Sequence, residues 1–113
     1  DFVRISGSDR YQMRATNKDE EITYMTNHHK MIASYRGDDR FLDDTVIAGK
    51  TGYTSLAGQT LVTYAVKDDR RQVAVTLKST QKTHYSDTKT ILDFCFAKFK
   101  NVNIAEKCKC GRK

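Results

Sequence analysis

Three adjacent residues, Lys50, Thr51 and Gly52, combine groups that could bind a carboxylate at the edge of a sheet. The lysine supplies a fixed positive charge and the threonine a hydroxyl donor, and both make strong hydrogen bonds to a carboxylate. Gly49 and Gly52 have no Cβ, so another molecule can approach the backbone closely here. The segment is compatible with recognition of a substrate that ends in a carboxylate, but these three residues alone favour the simpler interpretation, a solvated lysine on an ordinary edge strand.

The elements that must position this segment are a sheet and a helix. Residues 46–48 are apolar, which indicates a strand that leads into Lys50. Residues 59–66 and 72–77 alternate between apolar and polar side chains, and the short charged linker 67–71 predicts an exposed turn, so these two strands should pair antiparallel. The side chains predicted to share one face are Val62, Tyr64 and Val66 on the first strand and Val73, Val75 and Leu77 on the second.

The hydrophobic period changes in residues 83–100. Apolar side chains recur there at steps of three and four residues, as on a helix that lies on a sheet. The stripe consists of Thr88, Ile91, Leu92, Cys95, Phe96 and Phe99. The predicted fold class is therefore α+β, an antiparallel β-sheet with a C-terminal helix packed on it.

The N-terminal third has a less regular pattern. Residues 2–5 and 11–14 predict two strands of a hairpin around a turn of glycine, serine and aspartate. A threonine–asparagine cap predicts a short helix over residues 26–34. We expect Met31 and Ile32 to face inward from that helix.

The order of these motifs resembles the C-terminal part of the serine D-alanyl-D-alanine carboxypeptidases, penicillin-binding proteins with a β-lactamase/transpeptidase-like fold. That family's pattern is Asn-x-x-Lys-hydrophobic, a spacer, then Gly-x-Lys-Thr-Gly-aromatic-Thr-x-x-Ala-Gly, followed by two strands and a helix. The matching residues here are Asn27-His28-His29-Lys30-Met31 and Gly49-Lys50-Thr51-Gly52-Tyr53-Thr54-Ser55-Leu56-Ala57-Gly58. This chain departs from the pattern at Ala48-Gly49, where many members have glycine and then a hydrophobic residue.

The resemblance implies a partial fold and a domain boundary. It covers residues 2–101, which is less than half of the family's catalytic domain. We expect residues 1–101 to be the C-terminal portion of such a domain and residues 102–113 to be a basic, cysteine-containing tail.

The resemblance also implies roles for individual residues in acyl transfer by a serine. Lys50 and Tyr53 would be catalytic, with the Tyr53 N–H as one of two donors to the oxyanion. The substrate would be bound by Thr51, Gly52, Thr54 and His28. The backbone beside Gly52 would let the peptide lie along the edge as an added strand.

The nucleophile of that chemistry is not found in this chain. Ser79 with Lys82 and Ser86 with Lys89 have the Ser-x-x-Lys spacing, but both follow the Lys-Thr-Gly segment, whereas the family's nucleophile precedes it. We interpret both as chance matches. No serine here is followed two residues later by asparagine. We therefore expect the chain to be part of a longer enzyme and to be unable, alone, to hydrolyse D-alanyl-D-alanine or to be acylated by a β-lactam.

The implied partners belong to the parent enzyme. They are peptidoglycan peptides that end in D-Ala-D-Ala, β-lactams, and the N-terminal half of the catalytic domain. Without that half, the edge of the strand at 72–77 and part of the C-terminal helix would be exposed, so we expect the isolated chain to self-associate. The resemblance implies an extracytoplasmic location in the cell envelope or periplasm, although the chain shows no signal sequence and no apolar run of membrane-spanning length.

Histidines and cysteines predict no metal site or cofactor. On a helix His28 and His29 would diverge by about 100°, so they could not share a metal, and we expect surface positions for both and for His84. Cys95 is interpreted as a small buried hydrophobic residue. The Cys-x-Cys in the tail, Cys108 and Cys110, has no histidine near it in sequence and is interpreted as free or incidentally oxidised thiols.

Two alternatives to the carboxypeptidase interpretation stay open, one from composition and one from the resemblance. The chain has 113 residues, 38% of them hydrophobic, and a net charge of +6. Most of that charge lies after residue 97, where six cations face only Glu106. A small basic polyanion-binding module is one alternative, but no aromatic residues interleave the tail cations, so we predict no nucleic acid partner. A fragment of a serine β-lactamase is the other.

Overall fold

The computed structural model describes residues 1–104. It consists of two helices and five strands: α1 (Phe2–Ser6), β1 (Arg10–Met13), β2 (Thr23–Thr26), β3 (Val46–Thr54), β4 (Gly58–Lys67), β5 (Arg70–Ser79) and α2 (His84–Lys98). β1 and β2 form a two-stranded sheet, and β3, β4 and β5 form a three-stranded antiparallel sheet in that order. The predicted α+β class, with its C-terminal helix on an antiparallel sheet, is confirmed.

The β4–β5 hairpin sets the geometry of the larger sheet. Its two-residue turn consists of Asp68 and Asp69, both in the left-handed region with φ of 49° and 58°. Turns of this kind match the right-handed twist of the strands that they join. The predicted turn and antiparallel pairing are therefore correct.

Helix α2 covers one face of the sheet, and the core lies between them. Leu61 and Ala65 on β4 and Ala74 on β5 are at most 2% exposed and pack beneath Leu92 and Phe96 of the helix. Small alanine side chains at two of these three sheet positions let the helix approach closely. Burial of these apolar side chains is the main stabilising contribution to the fold.

The opposite, outer face of the sheet is apolar and exposed. The predicted shared faces of β4 and β5 lie on this side, where Val62 lies opposite Val75 and Tyr64 opposite Val73. The exposed fractions are 62% for Val73, 52% for Val75 and 70% for Leu77. The side chains predicted to share a face therefore do so, but on β5 this apolar face is exposed among the described residues, because helix α2 packs on the other face.

Two N-terminal predictions are also wrong. The segment predicted as the first hairpin strand is helix α1, and β1 pairs with β2 instead. The helix predicted for residues 26–34 is replaced by the end of β2 and a series of turns. Asn27 explains the second difference: its side chain accepts a hydrogen bond from the His29 N–H (2.9 Å) and donates to the Ser6 carbonyl (2.8 Å), so it favours a turn over a helix. Met31 is nevertheless buried, as predicted.

The end of α2 agrees closely with the sequence, and the tail lies outside the structural description. The helix begins at His84 after the N-cap Thr83 and ends at Lys98. Cys95 is a half-buried free thiol. Cys108 and Cys110 lie outside the described residues, and the boundary near residue 101 stays a prediction. Among residues 1–104, no helix combines the length and apolarity needed to cross a bilayer.

Arg70 joins the hairpin to the end of helix α2. Its guanidinium donates to the carbonyls of Phe96 (2.6 Å) and Phe99 (2.7 Å) and lies over the Phe96 ring, 5.5 Å from the centroid. These carbonyls have no partner within the helix, and a cation at the C-terminal end also interacts favourably with the helix dipole. Arg70 therefore fixes the helix over the sheet.

We expect Arg70→Ala to lower the free energy of unfolding by about 1–2 kcal/mol, because charge-assisted hydrogen bonds to the Phe96 and Phe99 carbonyls, the second of them exposed, are lost. Urea unfolding at neutral pH measures this loss. The matched control is Arg71→Ala, which removes an exposed arginine from the next position of β5 and should change stability by less than about 0.5 kcal/mol. Equal effects of the two substitutions would contradict this role of Arg70.

Candidate functional site

The Lys-Thr-Gly segment lies on β3, which is an edge strand of the described sheet. Lys50 lies opposite Val62 of β4, and Thr51 lies opposite the buried Leu61. Successive side chains of a strand point to opposite faces, so Lys50 projects on the outer face and Thr51 on the inner face. The Lys50 ammonium folds back and donates to the Thr51 carbonyl at 2.7 Å. The positive charge therefore lies beside the backbone of the segment.

Lys50 faces a cleft. It lines, with Gly49, a cavity of about 730 Å³ whose other walls come from helix α1 and from the β1–β2 hairpin. The cleft contains two further cations, Arg4 and Arg10, one carboxylate, Asp9, and the apolar side chains of Phe2, Ile5, Tyr11 and Met25, so its cations outnumber its anion. A cavity of this size is typical of small-ligand sites. A cationic, partly apolar cleft of this kind suits an anionic ligand with an apolar body.

A buried histidine supports the segment from beneath. His29 is 1% exposed, and its Nε2 lies 2.9 Å from the Thr63 hydroxyl of β4. Its Nδ1 accepts a hydrogen bond from the Met31 N–H at 3.3 Å. Its ring meets the Tyr85 ring of α2 edge to face, with centroids 5.8 Å apart. His29 therefore touches the strand pair and the helix at once, and its predicted surface position is wrong.

Burial changes the acid–base behaviour of this histidine. The pKa of His29 is lowered from 6.5 to about 4, and desolvation by burial is the largest cause. Hydrogen bonds to the backbone of His29 and Val62 oppose this shift, whereas the nearby His84 and Lys50 contribute to it. Protons therefore bind more readily to the unfolded chain between these two values, so His29 stabilises the fold above pH 6.5 and this stability is lost as the pH falls toward 4.

Gly49 makes the packing of His29 possible. A Cβ at this position would lie 2.6 Å from both Cδ2 and Nε2 of His29 and 2.6 Å from the Val62 carbonyl oxygen. The residue before Lys50 is thus a glycine because an imidazole occupies the space of its side chain. The departure from the family pattern at this position and the histidine in the upstream motif belong to one packing arrangement.

The other predicted site residues are Tyr53, Thr54 and His28. Tyr53 follows on β3, opposite Gln59, with an exposed side chain. The Thr54 hydroxyl accepts a hydrogen bond from the Ala57 N–H at 3.0 Å, so it stabilises the β3–β4 turn. The exposed ring of His28 packs on Tyr35, with centroids 4.4 Å apart. Their roles in substrate binding and catalysis stay predictions.

His84 is buried, which the sequence does not predict. It is 6% exposed, its Nδ1 lies 2.8 Å from the Thr80 carbonyl, and its ring packs on Tyr85. The predicted solvent-exposed position is wrong, because the first turn of α2 packs into the core. Residues 79–84 gave no apolar periodicity from which this burial could be recognised.

The two Ser-x-x-Lys matches hold their hydroxyls away from their lysines. Ser79 donates to the Asp87 carboxylate at 3.1 Å, and Ser86 donates to the Thr83 carbonyl at 2.8 Å. Lys89 forms ion pairs with two carboxylates, Asp43 at 2.8 Å and Asp93 at 3.2 Å. Among the described residues, neither serine forms a hydrogen bond to the lysine of its own match, so neither match forms a serine–lysine nucleophile and base pair.

The arrangement of sheet, edge segment and helix is the fold of part of the penicillin-binding proteins and DD-transpeptidases. An evolved putative penicillin-binding protein homologue from Mycobacterium tuberculosis matches with a TM-score of 0.70 and 22% identity over 89% of this chain. A D-alanyl-D-alanine carboxypeptidase from the same organism matches with a TM-score of 0.70 and 22% identity over 88%. A mutant of the Streptomyces K15 DD-transpeptidase matches with a TM-score of 0.68 and 24% identity over 85%.

These matches concern the fold and only part of each enzyme. The chain spans 36% of the length of the first structure, 35% of the second and 36% of the third. No protein-family model matches the sequence, and no curated protein matches it either. The predicted partial β-lactamase/transpeptidase-like fold is therefore confirmed at the level of structure.

The packing at Gly49 yields a comparison of two glycines on the same strand. We expect Gly49→Ala to lower the free energy of unfolding by about 1–3 kcal/mol, because the new methyl meets an enclosed imidazole and a backbone oxygen. At Gly52 a Cβ would meet mainly the Thr60 hydroxyl at 2.5 Å. That hydroxyl can rotate at the cost of its hydrogen bond to the Gly52 carbonyl, about 1 kcal/mol.

Urea unfolding of both alanine variants at neutral pH checks this difference. Gly49→Ala should be the less stable of the two. A Gly49→Ala variant as stable as Gly52→Ala would show that the imidazole does not occupy this space.

Proposed function

We propose that this chain is the C-terminal portion of a serine-type D-Ala-D-Ala carboxypeptidase, which trims peptidoglycan stem peptides by hydrolysis of an acyl-enzyme. One observation carries the proposal: a Lys-Thr-Gly segment lies on the edge strand of a sheet that has the fold of solved D-alanyl-D-alanine carboxypeptidase and DD-transpeptidase structures. The cleft beside Lys50 gives an anionic peptide access to that edge.

In this proposal the edge strand binds the substrate and stabilises its transition state. At the edge of β3 the Lys50 ammonium approaches the terminal carboxylate of the peptide from the outer face, and the Thr51 hydroxyl approaches it from the inner face. The peptide lies along the edge beside Gly52 as an additional strand. The Tyr53 N–H is one donor to the oxyanion that forms at the scissile carbonyl, and the nucleophile's own residue supplies the other. Thr54 and His28 contribute to the substrate-binding surface.

The nucleophile belongs to the N-terminal half of the parent enzyme. That half provides Ser-x-x-Lys and Ser-x-Asn, and this chain alone is inactive. The exposed outer face of β5, with Val73, Val75 and Leu77, supports an additional covering segment, because exposed apolar faces of this kind mark interaction surfaces. We propose that the N-terminal half covers it in the parent and that isolated copies self-associate through it. The parent acts on peptidoglycan, and binds β-lactams, in the cell envelope or periplasm.

A DD-transpeptidase is the second candidate, because solved structures of one share this fold. The two enzymes differ in whether water or an amine accepts the acyl group. A serine β-lactamase would use the same Lys-Thr-Gly wall with water as acceptor. In all three cases Lys50 and Thr51 would bind the carboxylate that the substrates have in common.

The role of Lys50 can be measured without the nucleophile. N-acetyl-D-alanyl-D-alanine should shift the backbone amide NMR signals of Lys50 and Thr51 at neutral pH. Its methyl ester should bind at least about tenfold more weakly, because charge-assisted hydrogen bonds contribute about 1.5–3 kcal/mol. Lys50→Met should show a similar loss for the acid.

The control for this measurement is Lys67→Met, which removes an exposed lysine at the end of β4 and should leave binding unchanged. Equal affinity for the acid and the ester would remove the proposed carboxylate site.

The absence of a nucleophile predicts no acylation of the isolated chain. Incubation with a fluorescent penicillin, followed by intact-mass measurement, should give no covalent adduct under conditions that fully label an intact penicillin-binding protein. Stoichiometric labelling of Ser79 or Ser86 would contradict the proposal, and Ser79→Ala and Ser86→Ala variants would identify the residue.

A further inference from the structure

His29 is placed so that only its neutral form satisfies both ring nitrogens. Nδ1 accepts the Met31 N–H at 3.3 Å, so this nitrogen must carry no proton. Nε2 therefore carries the hydrogen and donates toward the Thr63 hydroxyl at 2.9 Å. A second proton on Nδ1 would point a donor at the Met31 donor. Protonation thus conflicts with the local hydrogen bonding, whatever the charge of the surroundings.

The groups that face His29 offer no compensating negative charge. Lys50 contributes a cation from β3, and His84 contributes a second imidazole from α2. Tyr85 of α2 meets the ring edge to face, and its pKa is raised by burial, so it is neutral in acid. From β4 the contacts are the uncharged Thr63 hydroxyl and the Val62 carbonyl. The Val62 and His29 carbonyls favour the protonated ring, but burial outweighs them. A positive charge on the ring would therefore be enclosed next to other positive charges.

The ring has little space in which to adjust. The place of a Cβ on Gly49 is 2.6 Å from two of its atoms, and the residue as a whole is 1% exposed. Interiors packed this closely transmit a displacement to their neighbours. A ring that moves away from Met31 must move toward Gly49, and Lys50 is the next residue on the strand.

We propose that neutral His29 is a positioning residue for the Lys-Thr-Gly strand, and that its protonation shifts Gly49 and Lys50 out of the geometry that binds a carboxylate. The site is then sensitive to acid through a residue that does not touch the ligand. The displacement itself is a property of the fold, whereas its effect on ligand binding rests on the proposed function.

The test is an NMR titration of the full chain from neutral pH to about pH 3, with no ligand present, so that the range extends past the expected midpoint. The His29 ring signals and the Gly49 and Lys50 amide signals should move with one common midpoint, well below the ordinary histidine value of 6.5. In His29→Asn the amide transition should disappear, because a neutral amide side chain can accept from Met31 and donate to Thr63 at every pH. His28→Gln should retain the transition.

Several outcomes would overturn the inference. His29 could titrate near its ordinary value, or its protonation could leave the Gly49 and Lys50 amides unmoved. The amide transition could also persist in His29→Asn. A general loss of signal dispersion at the same pH in both proteins would be one form of this result, and it would mean that acid acts without His29.

A second titration with N-acetyl-D-alanyl-D-alanine separates this inference from the proposed function. Across the His29 midpoint the affinity of the wild-type chain should fall at least about fivefold more than that of His29→Asn, because protonation of the ligand's own carboxylate, with a pKa of about 3.5, weakens binding to both proteins alike. The ligand-free titration could show that His29 and the Gly49 and Lys50 amides move together, while the dipeptide shows no carboxylate-dependent binding at neutral pH. That result would count against the proposed function alone. Binding that is equally sensitive to acid in both proteins would count against His29.

Discussion

The contact between the His29 imidazole and Gly49 is the constraint on which the rest of the site depends. It fills the space of a missing side chain on β3, while a hydrogen bond of 2.9 Å joins the same ring to Thr63 on β4. Nearby, the Tyr85 hydroxyl of α2 accepts the Lys30 N–H at 3.2 Å. An irregular segment is thus fixed between sheet and helix by side chains and not by a strand ladder. Such buried, fully paired networks give a region one well-defined arrangement.

This constraint explains how an edge strand can be a precise binding surface. Edge strands lack a partner on one side and are therefore free to bind a peptide there, but they are also the least restrained part of a sheet. One edge of β3 pairs with β4 between Val46 and Thr54, with a register shift between Val46 and Ala48. His29 packs against β3 where the Lys-Thr-Gly segment begins. A rim that is rigid before the ligand arrives loses less entropy on binding.

The sequence pattern predicts the β4–β5 hairpin and helix α2, because each is determined by residues that are close together in the chain. The β4–β5 hairpin follows from alternation on both sides of a charged two-residue turn, and α2 follows from an apolar stripe without proline. Alternation, however, specifies that a strand has two faces without specifying which face is covered. The face of β5 that carries Val73, Val75 and Leu77 is exposed. Helix α2 packs instead on the opposite face of the sheet, where Ala65 and Ala74 have small side chains.

The failures occurred where distant contacts override local preference. The capping residue Asn27 suited a helix start, but its side chain bonds instead to the end of α1 and to its own turn. His29 and His84 looked like surface histidines because a single histidine carries no periodic signal, and both are buried against Tyr85. The Lys-Thr-Gly segment was recognisable from its residues, whereas the histidine beneath it needed the structure.

A double-mutant cycle between His29 and Thr63 tests this central constraint most directly. Urea unfolding at neutral pH would be measured for the wild type, His29→Ala, Thr63→Val and the double variant. We predict a coupling free energy of about 1 kcal/mol or more, because the two side chains share one buried hydrogen bond. Additive effects, with no coupling beyond the error of the measurement, would contradict the account.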